Sequence, residues 1–168
     1  MTEDEAVDRL RVLAVERLAN DVVGSDRLIR AGLDALLAGV DTPSLARLAG
    51  LTRREEPEAS DLFEAVLDEL ALRDGLPGTR TDAAWWIVRR TLARIVDGSV
   101  DPVEGADRVW DLAHPGHWFD SAVAPVVQGL ITAYDVGGDD EPERLEAARE
   151  EIRTAARALL ALPEPPEA

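Results

Sequence analysis

Apolar residues recur every three or four positions through almost the whole of this sequence, and each such stretch is closed by glycine, proline or a capping side chain. That spacing is the period of a helix with one buried face, and it leaves little room for the alternation of a half-buried strand. The expectation is an all-α chain of seven or eight helices in an orthogonal or irregular bundle, with VAPVV (123–127) the one short β-rich segment. No repeat of fixed period is visible.

The stops and starts divide the chain. In EDEAVDRLRVLAVERLANDVV, Val7, Leu10, Ala14, Leu18 and Val22 share a stripe. SDRLIRAGLDALLAG reads as a helix capped by Ser25 and closed at Gly39. DTPSLARLAG offers Thr42 as cap, Pro43 in the first turn and Gly50 as stop. EPEASDLFEAVLDELALRDG carries Leu62, Phe63, Val66 and Leu70 ahead of Gly75, and LPGTRT is a turn and candidate hinge. The next helix runs from Thr81 to Gly98.

Asp101 and Pro102 repeat the cap-then-proline signal, with Val103, Ala106, Trp110 and Ala113 at core spacing. Pro125, inside the apolar HWFDSAVAPVVQGLITAYDV, predicts a kink or break. After GGDDE a last helix begins near Pro142, capped by Asp140, with Leu145, Ala148, Ile152, Ala155, Leu159 and Leu162 along its buried edge. These elements suit one domain over 1–162, long enough to bury roughly 70% of the surface its unfolded form exposes. PEPPEA (163–168) reads as a disordered acidic, proline-rich tail.

Composition narrows the chemistry. There is no cysteine, so neither disulfides nor thiolate metal sites are available. All eighteen basic residues are arginine, and Asn20 and Gln128 are the sole amides, a bias that suits a GC-rich bacterial genome. The net charge of −16 argues against a nucleic-acid partner and favours encounter with a basic protein, although charge at this level also serves solubility. The acidic start MTEDEAVDRL lacks the apolar core of a secretory signal, and no apolar run reaches the ~18–20 residues of a membrane span. A cytoplasmic protein with no membrane association is expected.

HPGHWFD (114–120) holds both histidines, and Asp111 stands close before it. His114, His117, Asp111 and Asp120 together form a nitrogen and oxygen donor set that suits zinc or acid–base work. Proline and glycine between the histidines exclude an i, i+3 helical pair, and the same letters spell a helix stop, a turn and a new start. The connecting-loop reading prevails. DVGGDDEPE lacks the order of a calcium loop, and no nucleophile elbow, phosphate loop or dinucleotide fingerprint is present. LARLAGLTRREEPEA mimics a helix-turn-helix at Ala46, Gly50 and Thr52, yet Glu55, Glu56, Pro57 and Glu58 spoil the recognition helix that Arg53 and Arg54 would need.

The tryptophans read first as packing. On a helix Trp85 and Trp86 point about 100° apart. Trp85 lines up with Val88, Leu92 and Ile95 as core, whereas Trp86 falls on the side of Arg89 and Arg90, to stack on a guanidinium or to anchor a partner. Trp118 and Phe119 plug the start of their helix or serve as a second anchor. ARIVDGSVDPVEGADRVWDLA (93–113) and the LARLAGLTRREE…LFEAVLDELAL block (45–72) resemble segments of small helical bacterial proteins without assigned activity. That resemblance lends no catalytic or binding residue.

The reading that follows is an acidic binding module of the immunity or antitoxin kind rather than an enzyme, with no cofactor. Carboxylates of helices 1, 4 and 8 would face a basic protein, and Trp86, Arg90, Trp118 and Phe119 are the candidate contacts. The alternative is a small metal-dependent or acid–base enzyme built on His114, His117, Asp111 and Asp120.

Overall fold

The computed structural model describes residues 1–19, 23–113, 120–135 and 142–162, with the backbone alone at 113 and 120–122. Among these residues the chain is all-helical. Eight α-helices run in the order α1 (Glu3–Leu18), α2 (Ser25–Leu37), α3 (Pro43–Ala49), α4 (Ala59–Glu69), α5 (Arg80–Val96), α6 (Pro102–Ala113), α7 (Asp120–Asp135) and α8 (Pro142–Leu160). A 3-10 turn, Glu56–Glu58, leads into α4. No described helix is long and apolar enough to cross a membrane. The expected tail at 163–168, the Asp140 cap and Val22 lie outside the described residues.

The helices fall into two compact units, Met1–Ala83 and Ala84–Ala168, and the division lies in the first turn of α5, just past LPGTRT. In the first unit α2 packs on α1, α3 and α4. Leu10, Leu13, Leu28, Leu45, Leu48, Phe63, Val66 and Leu67 are buried at its centre. The buried side of α1 is Ala6, Leu10, Leu13, Ala14 and Val15, broader than the stripe expected and turned from it. Val7 is half-buried at the edge, and Leu18 is 38% exposed. Helix α1 touches both α2 and α4, so two neighbours, not one, define its inner face.

Local chemistry explains most of the ends. Thr2 forms a capping box with Glu5, and Thr42 accepts from Leu45 N at 3.3 Å ahead of Pro43. Ser25 is the first helical residue of α2, and the cap is Gly24, which makes no side-chain bond. At the other end Gly39 takes φ 103°, so that Val40 N reaches Ala35 O and Gly39 N reaches Leu36 O, both at 3.1 Å. Helix α4 ends by the same double bond, Leu72 N to Leu67 O at 2.8 Å and Ala71 N to Asp68 O at 3.1 Å. There the left-handed residue is an alanine, Ala71 at φ 50°, well before the glycine that the sequence suggested as the stop. At Thr52 no helix begins. Its backbone N–H and hydroxyl both donate to Glu55, at 3.0 and 2.6 Å, and close a turn.

In the second unit α6, α7 and α8 pack on one another. Trp85, Val88, Leu92 and Ile95 of α5 are buried as their spacing requires. Asp101 caps α6 by accepting from Val103 N at 2.9 Å, and pairs with Arg149 of α8 at 3.3 Å. Helix α7 continues through Pro125 without the break that residue suggested. At Gly129 the helix comes so near α8 that a Cβ would lie 2.6 Å from Ile152 Cγ1. Arg89 donates to the carbonyl of Leu160 at 3.2 Å and to that of Leu162, placing a cation on the negative end of α8.

The core face of α6 is Pro102, Ala106, Val109 and Leu112, not the stripe through Val103 and Trp110. Trp110 lies outside it, 38% exposed. On α8 the buried edge is Ala148, Ile152, Ala156 and Leu159, while Leu162 is exposed. In both helices alanines share the inner face with branched side chains, Val109 and Leu112 on α6 and Ile152 and Leu159 on α8.

Candidate functional site

Four of the sequence-derived candidates, His114, His117, Trp118 and Phe119, lie outside the described residues, as does the side chain of Asp120, whose backbone opens α7. Asp111 is exposed on the last turn of α6. Trp86 is half-buried on α5, and the Arg90 guanidinium stands 5.5 Å from its ring centroid, the stacking its position on the helix suggested. Trp86 and Arg90 thus contact one another within the chain.

Much of the acidic charge is likewise met by arginine close at hand. The first unit carries 18 carboxylates against ten arginines and the second 16 against eight. On α4, Glu64 binds Arg17 at 3.2 Å and Arg73 at 2.8 Å, and Asp68 also holds Arg73. Glu69 accepts from the hydroxyl and backbone N–H of Ser44, at 2.7 and 3.1 Å. On α8, Glu146 and Glu150 are laced to Arg149, Arg153 and Arg157. Exposed pairs of this kind hold side chains in place more than they stabilise the fold.

Two clefts stand out among the described residues. One of about 270 Å³ in the first unit is lined by Arg17, Glu64 and Arg73, with Glu64 paired to both arginines. The other, about 560 Å³ along α7 and α8, has a floor of Gly129, Ala147, Ala155 and Ala158. On its rim Glu150 is held by Arg153 and Arg157. Neither cleft presents a convergent set of reactive groups.

The α6–α7 face is different. The Tyr134 hydroxyl, in the last turn of α7, donates to Asp107 Oδ1 at 2.9 Å in the middle of α6. The bond joins two helices that pack on one another. Trp110 lies one turn on from Asp107 along α6, and Ile131 one turn back from Tyr134 along α7. Trp110, Ile131 and Tyr134 are 38%, 47% and 61% exposed. Asp107 and Asp111, also exposed, frame them. The phenol of Tyr134 is pushed above its ordinary range, first by the bond to Asp107, then by desolvation and by the charges of Asp107 and Asp111.

This face combines large exposed apolar surface with negative charge. Partly exposed apolar side chains beside carboxylates are the chemistry of a recognition surface. Sequence reasoning missed it because Trp110 fits the core period of α6 and because Tyr134 looks like the unremarked end of an apolar helix. The available signal was the acid pair Asp107 and Asp111, at i, i+4, on either side of a tryptophan.

No protein-family model, no curated protein and no solved structure matches this chain.

Proposed function

We propose that this chain is a non-enzymatic protein-binding module of the immunity or antitoxin kind, and that it docks a basic protein on its acidic surface. The observation that carries the reading is the packed pair α6 and α7, on which Trp110, Ile131 and Tyr134 are exposed together with Asp107 and Asp111. The net charge of −16 would speed encounter with a cationic partner, and the buried aromatic contact would slow release. Tyrosine and tryptophan supply contact area at little entropic cost, and Tyr134 is already oriented by its bond to Asp107. Trp86 and Arg90, which already cover one another, are the weaker anchor.

Co-expression with the basic proteins encoded beside this chain in its genome tests the reading. It predicts a stable one-to-one complex with one of them, an association rate that falls with added salt, and a dissociation rate that rises roughly tenfold or more in Trp110→Ala. A complex indifferent to Trp110→Ala and Tyr134→Ala, or no complex with any basic neighbour, would overturn it.

A further inference from the structure

We infer that the smaller cleft, in the first unit, binds a small monocarboxylate with an apolar tail. Its lining brings two guanidiniums, Arg17 and Arg73, and a single carboxylate, Glu64, together with Leu18, Leu67 and Leu76. In a chain of net charge −16, a cleft lined by two cations and one anion reverses the prevailing sign. The α6–α7 face plays no part in this site.

Glu64 draws the two cations to one point. Its Oε1 lies 3.2 Å from Arg17 Nη2, and its Oε2 lies 2.8 Å from Arg73 Nη2. Arg17 is held further by the Ser60 hydroxyl, which accepts from Nη2 at 2.7 Å, and its guanidinium stands 5.5 Å from the centroid of the buried Phe63 ring. Arg73 donates through Nε to Asp68, whose exposed carboxylate is not part of the lining. These bonds run through Nη2 of Arg17 and through Nε and Nη2 of Arg73, so Nη1 of each guanidinium keeps its N–H groups for a second carboxylate. Cations already fixed in place lose little freedom when that carboxylate arrives.

The rest of the cleft is apolar. Leu18, 38% exposed at the end of α1, and the half-buried Leu76 leave hydrocarbon surface open there, beside the buried Leu67. A ligand tail removes that surface from water, which a bare phosphate or sulfate would not do. A volume of about 270 Å³ is the liquid share of about nine waters, and so suits a ligand with roughly nine non-hydrogen atoms. Benzoate has that size and charge. Long-range repulsion by the acidic chain and the small contact area set an affinity on the order of 1 mM.

A chemical-shift titration of the intact protein with benzoate tests the inference, with benzamide as the neutral isostere. Benzoate should saturate one-to-one, move the amide signals of Leu18 and Leu76, and bind about tenfold more tightly than benzamide. Arg73→Gln should erase that preference, and Arg73→Lys should keep part of it. Arg53→Gln, which removes an exposed arginine outside the cleft, should leave it unchanged. Leu76→Ala should weaken both probes alike. Circular dichroism confirms that each variant keeps its helix content. A benzoate response that is absent or does not saturate, or equal affinity for the two probes, overturns the carboxylate site. So does a preference that survives Arg73→Gln or is lost equally in Arg53→Gln.

Discussion

The Tyr134 hydroxyl donates to Asp107 Oδ1 at 2.9 Å and ties the last turn of α7 to the middle of α6. The bond joins side chains 27 residues apart on two helices that pack on one another. Its consequence for titration is specific, because Tyr134 is the sole tyrosine of the sequence. The phenol should ionise above the ordinary value of about 10, since deprotonation would break the bond to Asp107 and add a third negative charge beside Asp107 and Asp111. Folded protein then keeps a proton that unfolded chain loses, so stability falls as pH rises past the ordinary phenol range. Absorbance of the phenolate against pH reads this directly, and Asp107→Asn should bring the midpoint down.

Glu69 gives the opposite sign. Its carboxylate is held below the usual range, foremost by the Thr42 hydroxyl and then by the hydroxyl and backbone N–H of Ser44. The group contributes stability above its unfolded pKa, and that contribution is lost as pH falls through the lowered folded value. Glu69→Gln should therefore lower the denaturation midpoint near neutrality, and the gap to native protein should close in acid. A gap of the same size at both ends of the pH range would show that the charge is not involved.

Ala71→Gly should stabilise the first unit. Alanine at φ 50° pays the left-handed cost of roughly 1–2 kcal/mol. Glycine removes that cost but gains about 0.4–1 kcal/mol of unfolded-chain entropy. The expected net gain is about 0.5 kcal/mol, readable as a higher denaturant midpoint at unchanged slope. The terminal bonds from Ala71 N and Leu72 N are backbone bonds and survive the change.

Gly129→Ala should destabilise the second unit. The new methyl carbon would lie 2.6 Å from Ile152 Cγ1 and 3.3 Å from Ile152 N, and Ile152 is wholly buried. Overpacking of about 1–3 kcal/mol outweighs the helix-propensity gain of about 1 kcal/mol. A lower thermal midpoint with retained helix content is the expected outcome.

The helices were legible because their ends are written in local chemistry: Thr42 before Pro43, Asp101 before Pro102, and Gly39 at φ 103°. The pairing of Trp85 with the core and of Trp86 with Arg90 was legible too, because a 100° step per residue decides it. What sequence could not place was the exact face of a helix whose neighbours lie on two sides. On α1 the inner face widened to take in Ala6, Leu13 and Val15, and on α6 Trp110 left the core for the surface. Ala71 escaped notice because nothing in an alanine announces a left-handed turn. The candidate face escaped because it depends on Tyr134 and Asp107, 27 residues apart, meeting across two helices.

The most direct measurement of the central claim uses the absence of cysteine to place a single label. A fluorophore on Ile131→Cys reports the α6–α7 face, and one on Leu37→Cys, 78% exposed on α2, reports the other unit. On titration with the basic partner, the label at 131 should change saturably, and the response should disappear in Trp110→Ala, while the label at 37 stays flat. Equal responses at both positions, or a response at 37 alone, would contradict the assignment of binding to this face.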